Sequence, residues 1–351
     1  MTGGGEATVQ GLRSELSDGV LWLTIDRPKR MNAVDLATTK ALREAVDAAG
    51  ENPDVRTVVI TGAGAAFCTG ADLAAGAENP VDPAVTMDTA NALIRSIATV
   101  PVPVIAAVNG PAAGFGVSIA IAADFTYAAE SAYFFLSFVN VGLMVDGGSS
   151  LLVPAAIGRA RAAEMALLGN RVSAADADRF GLVAKTLPDD QLLEHVRTVA
   201  ARTATGPRRA LALTKQALNA STLGALDEAL EREKAGQAEL LTSADFFEGA
   251  TAMLQKRPPA VRLTTCGVLG TAFAVCCRGP SRGCTPLWTS GLSDRPAHER
   301  RAPRCVRSFE ISRIHVNKRP GADPSASVMC VTTQRCRARR FAPRPLERNS
   351  R

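Results

Sequence analysis

Two apolar runs that each end in a glycine-bearing turn constrain this chain more than any other feature: "VRTVVITGAGAAFCTGADL" at 55–73 and "VPVIAAVNGPAAGFGVSIA" at 102–120. A short continuous apolar run closed by glycine reads as a strand buried on both faces, the condition of a parallel sheet covered by helices. Helical patterns do lie between such runs. "DLATTKALREAVDAAGE" sets Leu36, Leu42 and Val46 near helical spacing behind Asp35 as a cap, and "TMDTANALIRSIATV" and "GFGVSIAIAA" also read as helices. "GVLWLTID" is a further strand, helices are expected around 150–168 and 173–180, and several more run to the closing "FFEGATAMLQKRPP". The alternation predicts an α/β fold with a mostly parallel sheet.

Composition divides the 351 residues sharply. From Leu263 to Arg351, 16 Arg and 1 Lys stand against 5 acids, whereas residues 1–262 carry a net charge of −6. The basic balance of the whole chain therefore says nothing about its body. The last segment also holds seven of the eight Cys and two of the three His, with no C-x-x-C pair and no two His at ligand spacing, so no metal site is expected. It has no aromatic interleaving, and nucleic-acid binding is not expected of it. It reads as a disordered extension or, preferably, as G+C-rich coding sequence read in a shifted frame. The body's one Cys, Cys68, excludes a disulfide framework and fits a reducing cytoplasm. "MTGGGEATVQ" lacks the features of a secretion signal, and no apolar stretch approaches the ~20 residues of a membrane span.

The first glycine turn invites a dinucleotide-binding reading, because "GAG" follows a strand. The position where a third small residue belongs is Phe67, so the fingerprint fails. Two such turns suit another chemistry: small residues let backbone N–H groups approach a ligand, and two N–H groups converging on a carbonyl oxygen stabilise an oxyanion. A lone acid, Asp146 in "VGLMVDGGSS", has two readings. On local grounds it caps the helix that follows, since Asp is a favoured cap. The alternative is a proton carrier. His195, on an amphipathic helix, is expected at the surface or an oligomer interface, and Cys68 is expected to pack.

The order and spacing of "LTIDRPKRMNAVD", "AFCTGADL", "PVIAAVNGPAAGFGVSIAIAADFTYA", "LLGNRVSAADADRFGLVAKTLP" and "KRPP" resemble the crotonase (enoyl-CoA hydratase/isomerase) superfamily over about residues 12–262. The resemblance implies a crotonase-like core of repeated ββα units at 12–200 and a C-terminal helical trimerisation region at 201–262. These sit between a flexible N-terminus at 1–11 and the basic segment at 263–351. It also implies a homotrimer or hexamer, and an acyl-CoA thioester as substrate. CoA arrives with that substrate, so no separate cofactor is expected. The implied oxyanion donors are the N–H groups of Ala71 and Phe115, preceded by Gly70 and Gly114. Arg30, Ala33, Asp72 and Leu73 are the implied CoA contacts, although Asp72 reads almost as well as a turn former. Phe138 is placed against the acyl group, and Phe115, where many members have Gly, narrows its pocket.

Hydratases of the family carry two glutamates at the positions of Ser118 and Phe138, and both carboxylates are missing here. Hydration needs a group to activate water and a proton donor for the α-carbon. Isomerases of the family carry one acid in a segment like "GL-x-P-[ED]-G-G"; "GLMVDGG" puts Asp146 there, with Val145 in place of Pro. The apolar neighbours Phe134, Phe138, Val141 and Leu143 are expected to raise its pKa by desolvation. The favoured function is therefore isomerisation of a 3-enoyl-CoA to a 2-enoyl-CoA by a 1,3-proton shift through Asp146. The alternatives are a hydratase or other crotonase reaction, and a non-catalytic crotonase-fold binding protein.

Overall fold

A computed structural model describes residues 7–9, 11–78 and 81–260 of the chain. They belong to one compact unit, Met1–Cys277; a second, Arg278–Arg351, lies outside the described residues, as does the expectation for 263–351. The chain opens with β1 (Ala7–Val9), β2 (Leu12–Ser17) and β3 (Val20–Ile25), so part of the stretch read as a flexible N-terminus pairs as an edge strand. Then follow α1 (Leu36–Glu51), β4 (Thr57–Gly62), α2 (Leu73–Glu78), α3 (Pro83–Thr99), β5 (Val104–Val108), β6 (Ala112–Ala113) and α4 (Phe115–Ile121). Next come β7 (Phe125–Ala129), β8 (Tyr133–Phe135), a 3-10 turn at Ser137–Val141, α5 (Ser149–Leu168), β9 (Arg171–Ser173), α6 (Ala174–Phe180) and β10 (Lys185–Leu187). Four helices close it: α7 (Leu192–Ala204), α8 (Arg208–Thr222), α9 (Leu226–Leu240) and α10 (Ala244–Leu254). The position read as the start of the helical region falls within α7.

The main sheet runs β1-β2-β3-β4-β5-β7-β10, antiparallel at its first two pairings and parallel in the rest. A small sheet, β6-β8-β9, flanks the site. β4 and β5 are buried at every residue, as their continuous apolar sequence requires. Register aligns Trp22, Val59, Ile105 and Phe125 on one face and Leu23, Ile60, Ala106 and Thr126 on the other. On the first face lies α7: Arg197 sits 5.6 Å from the Trp22 ring, and the Thr203 and Thr57 hydroxyls are 2.8 Å apart. His195 is half-buried on that face, edge-on to Tyr127 at 4.8 Å. It packs on the sheet instead of standing free at the surface, one of the two places expected for it, because the stripe Leu192, Val196 and Ala200 beside it carries α7 onto the sheet. α1 and α3 pack together, with α1 against β2 and β3. As expected, Asp35 caps α1 by accepting the Thr38 N–H at 2.8 Å.

α8 is held by a polar residue, Lys215, its one buried side chain. Lys215 Nζ donates to the carbonyls of Ile97 (2.9 Å) and Val102 (3.3 Å) and pairs with Asp124 at 2.8 Å. Burial pushes the Lys215 pKa down and the Asp124 pKa up, and each group's charge works against the other's shift. Deleting one member strands the other charge, a loss of about 3–5 kcal/mol. Lys215→Ala is therefore expected to lower the urea-unfolding free energy by that amount, and adding Asp124→Asn to recover part of it. Equal midpoints for the parent and Lys215→Ala would show that the pair holds nothing.

Candidate active site

The two glycine turns meet because their backbones bond to one another. Pro111 O accepts from the N–H groups of Phe67 and Cys68 (both 3.2 Å), and Cys68 O accepts from Ala113 N–H (2.9 Å). On the far side, the Gly114 N–H donates to Phe135 O at 2.8 Å, which hangs the second turn on β8. Gly70 is the point of closest approach. Its φ is +95°, and a Cβ there would lie 2.9 Å from the Ala113 carbonyl oxygen and 3.3 Å from the Phe115 nitrogen, so only glycine fits.

The next N–H on each turn is Ala71 on the first and Phe115 on the second. Val34 N–H bonds to Gly70 O and Asp72 N–H to Val34 O, a ladder that skips the N–H of Ala71. Among the described residues neither that N–H nor the N–H of Phe115 has an acceptor. Phe115 is buried at the start of α4 and Ala71 is exposed across the Gly70 contact, so the two free donors stand where an acceptor from outside can reach them.

Two asparagines fix the first turn. Asn32, fully buried at φ +56°, donates to the carbonyls of Ala63 (2.9 Å) and Ala66 (2.7 Å) and accepts the Arg27 N–H (2.9 Å). Asn109 donates to Gly64 O (2.9 Å) and accepts the Gly62 N–H (3.2 Å). Cys68 is fully buried beneath the turn, and burial pushes its thiol up to about 12. It packs there as an inert thiol.

The residues expected near CoA gather at the first turn. Asp72 is buried; its Oδ1 accepts the Ala75 N–H at 3.1 Å and its Oδ2 pairs with Arg27 at 3.0 Å. That is the turn-forming arrangement, with its carboxylate committed inside the protein. Arg27, which the sequence did not single out, also pairs with Asp35 at 2.8 Å and donates to the Ala33 carbonyl. Arg30 is exposed, its Nε 4.0 Å from Asp72, and Leu73 opens α2 half-buried.

Asp146 lies on the other side of the second turn. Its neighbour Gly147 has φ +61°, and a Cβ there would stand 2.9 Å from the Phe115 ring and 2.7 Å from Ser118 Cβ. Asp146 does not cap α5, which corrects the local reading. The cap is Gly148 with no side-chain bond, and the N–H groups of Gly148 (2.6 Å) and Ser150 (2.8 Å) donate to Glu233 of α9. The Asp146 carboxylate, 9% exposed, accepts at Oδ2 from Gln237 Nε2 at 2.7 Å, and Oδ1 is buried without a partner. Burial above all raises its pKa, to about 7; the Gln237 bond opposes the rise and the Glu233 charge adds to it. Ser118 is spoken for: its hydroxyl donates to Asp146 O at 2.8 Å and lies 2.8 Å from Ser149 Oγ. Phe138 is buried, its ring tip 3.9 Å from where a Gly114 Cβ would stand. A groove of ≈ 690 Å³ on the α7 face, lined by Trp22, Asn109 and Arg197, includes none of Ala71, Phe115 or Asp146.

A buried acid with no cation carries a stability cost that depends on pH. Below about pH 4 both folded and unfolded chains hold the Asp146 proton, and between about 4 and 7 only the folded chain does. Stability falls as pH rises through that window, by up to about 4 kcal/mol for a shift of this size. Asp146→Asn cannot ionise. Its stability relative to the parent is expected to climb from about pH 4 to about pH 7 and then level off, measured by chemical denaturation across pH. A difference that does not change with pH would contradict the raised pKa.

A family model described as enoyl-CoA hydratase/isomerase matches residues 15–262. The chain is 41% identical to a probable enoyl-CoA hydratase of Rhodobacter capsulatus, over 71% of this chain and 96% of that one. It is 38% identical to the 1,2-epoxyphenylacetyl-CoA isomerase of Escherichia coli, over 70% and 96% of the two chains. The crystal structure of an enoyl-CoA hydratase from Mycobacterium avium subsp. paratuberculosis superposes with a TM-score of 0.68 at 46% identity, covering 73% of this chain and all of that one. With two free N–H groups on converging turns and a crotonase architecture behind them, the chain belongs to the enoyl-CoA hydratase/isomerase superfamily.

Proposed function

We propose that this protein isomerises an unsaturated acyl-CoA, moving a 3-enoyl double bond to the 2-position. The observation that carries this reading is the buried carboxylate of Asp146, bonded only to a neutral amide and with one oxygen free, beside the turn that presents the Phe115 N–H. The ionised carboxylate removes a proton from C2, and the C–H electron pair delocalises into a dienolate. The thioester oxygen takes the negative charge and rests on the N–H groups of Ala71 and Phe115. The same carboxyl returns the proton to C4 as the electrons close the double bond between C2 and C3. One acid suffices, and no water enters. Arg30, exposed beside Asp72, is assigned to the CoA end, with Ala33 on the same loop and Leu73 at the start of α2.

A hydratase reading draws on the name of the Rhodobacter capsulatus relative. Against it stands the Ser118 hydroxyl, bonded to the Asp146 carbonyl, and Phe138, which has no acid to offer. The 1,2-epoxyphenylacetyl-CoA isomerase relative keeps aromatic acyl groups in view as substrates. The apolar exposed side chains Val139, Leu167 and Leu168, with Phe247, Met253 and Leu254 of α10, support assembly as a homotrimer or hexamer. A cytoplasmic location agrees with a single buried thiol in the body.

The full-length protein and Asp146→Asn are to be incubated with a medium-chain 3-enoyl-CoA and, separately, a 2-enoyl-CoA. The expected result is conversion of the first to its 2-enoyl isomer, with an acid limb near pH 7 because the base must be ionised. The asparagine variant should lose roughly 10²–10⁴-fold in rate, the usual contribution of a general base. Formation of 3-hydroxyacyl-CoA from the 2-enoyl substrate would instead assign a hydratase. Tight thioester binding without either product would assign a binding protein. For assembly, Leu167→Ser with Leu168→Ser should shift the mass measured by light scattering toward the monomer; an unchanged mass would remove that face from the interface.

A further inference from the structure

α9 is polar in sequence, yet it buries a regular stripe of Leu226, Ala229, Leu230, Glu233 and Gln237. The last two stand one turn apart on one helix face. Glu233 accepts the N–H groups of Gly148 and Ser150, while Gln237 donates to Asp146 Oδ2 at 2.7 Å. One helix thus holds residues 146–150 at both ends. α9 is itself pinned to α3: the Asn91 amide donates to Leu230 O at 3.1 Å, and Arg95 pairs with Asp227 (2.6 Å) and Glu231 (3.2 Å).

We propose that Gln237 is the positioning residue of Asp146, holding Oδ2 so that Oδ1 is the oxygen that exchanges the proton. The proposal rests on Asp146 being the acid/base group. A carboxylate free at both oxygens can turn and offer either one; tethered at Oδ2, Asp146 leaves only Oδ1 without a protein partner. C2 and C4 of an enoyl group flank a single carbon, so one fixed oxygen can reach both. The tether also selects a charge state, because an amide N–H bonds better to a carboxylate than to a carboxylic acid. Around Asp146, α4 and α5 contribute only the hydroxyls of Ser118 and Ser149, and α9 contributes Glu233. Arg232 acts on Glu233, not on Asp146.

The test compares the full-length parent with Gln237→Leu and Gln237→Glu. Two quantities are followed across pH: kcat/KM for a 3-enoyl-CoA, and the infrared carbonyl band of the protonated carboxyl, identified as the band that Asp146→Asn removes. Losing a hydrogen bond to a charged group is expected to raise the Asp146 midpoint by one to two units, roughly a 10–100-fold loss of kcat/KM on the acid side with recovery at high pH. Gln237→Glu sets a second acid against the first and should raise the midpoint further, which keeps the proposal testable if the leucine variant does not fold. A midpoint unmoved in the folded variants, with stability alone reduced, would overturn the proposal. If the parent shows no isomerase activity while the band still moves, the reading of the reaction fails and the tether stands.

Discussion

The site depends on a strip of backbone hydrogen bonds between the two glycine turns. Pairing of Phe67 and Cys68 with Pro111, and of Cys68 with Ala113, fixes the distance between loops that are distant in sequence. The strip exists because both turns leave neighbouring parallel strands, β4 and β5, at the same end of the sheet. Loops at that end carry carbonyls into a dry interior, where each unpaired one costs about 1–3 kcal/mol. Asn32 supplies donors to the Ala63 carbonyl and the buried Ala66 carbonyl, and Asn109 ties the exposed Gly64 carbonyl, so side chains from two other segments hold the first turn. What the fold leaves unpaired is as informative as what it pairs. The N–H of Ala71 remains free because its ladder passes over it, and that of Phe115 because it opens α4.

Four carboxylates, three of them on buried residues, show how differently one chemical group can be treated. Asp72 is neutralised by Arg27, Asp124 by Lys215, and Glu233 by backbone N–H groups at the start of α5. Asp146 alone of these receives a single neutral donor and a like charge nearby. For Asp124 and Glu233 these partners work against desolvation, although burial still raises both pKa values. The fourth leaves both protonation states accessible near neutrality, the property a group needs to take and return a proton in one turnover.

Much of the scaffold was legible because it obeys local rules. β4 and β5 declare themselves by continuous apolar sequence, and Asp35 caps α1 as its type and position suggest. The same local logic makes Asp146 a cap, one of its two readings, and that one does not hold. The donors of α5 are met by Glu233, more than 80 residues away, and no window around Asp146 contains that fact. Gln237 was missed for the same reason, though a signal existed: the apolar stripe of α9 runs Leu226, Ala229, Leu230 and then continues through two polar residues. A polar side chain at a core position needs a partner, and here the partner is the site. His195 reads as a surface or interface residue because its helix is amphipathic; only strand register places Tyr127 beneath it.

The same geometry explains why the second turn carries Phe115 where a smaller residue would make the N–H equally available. The ring stands against Gly147, whose positive φ and missing Cβ are what allow the contact. Ser118, one helical turn on, reaches the Asp146 carbonyl from the same helix. α4 therefore supplies an N–H donor, a wall against Gly147 and an anchor for the backbone of the acid, all within four residues. Placing a carboxylate at the position of Ser118 would break the anchor and set a third buried carboxylate beside Asp146 and Glu233. On this scaffold, restoring the hydratase pair of acids means dismantling the support of the single one.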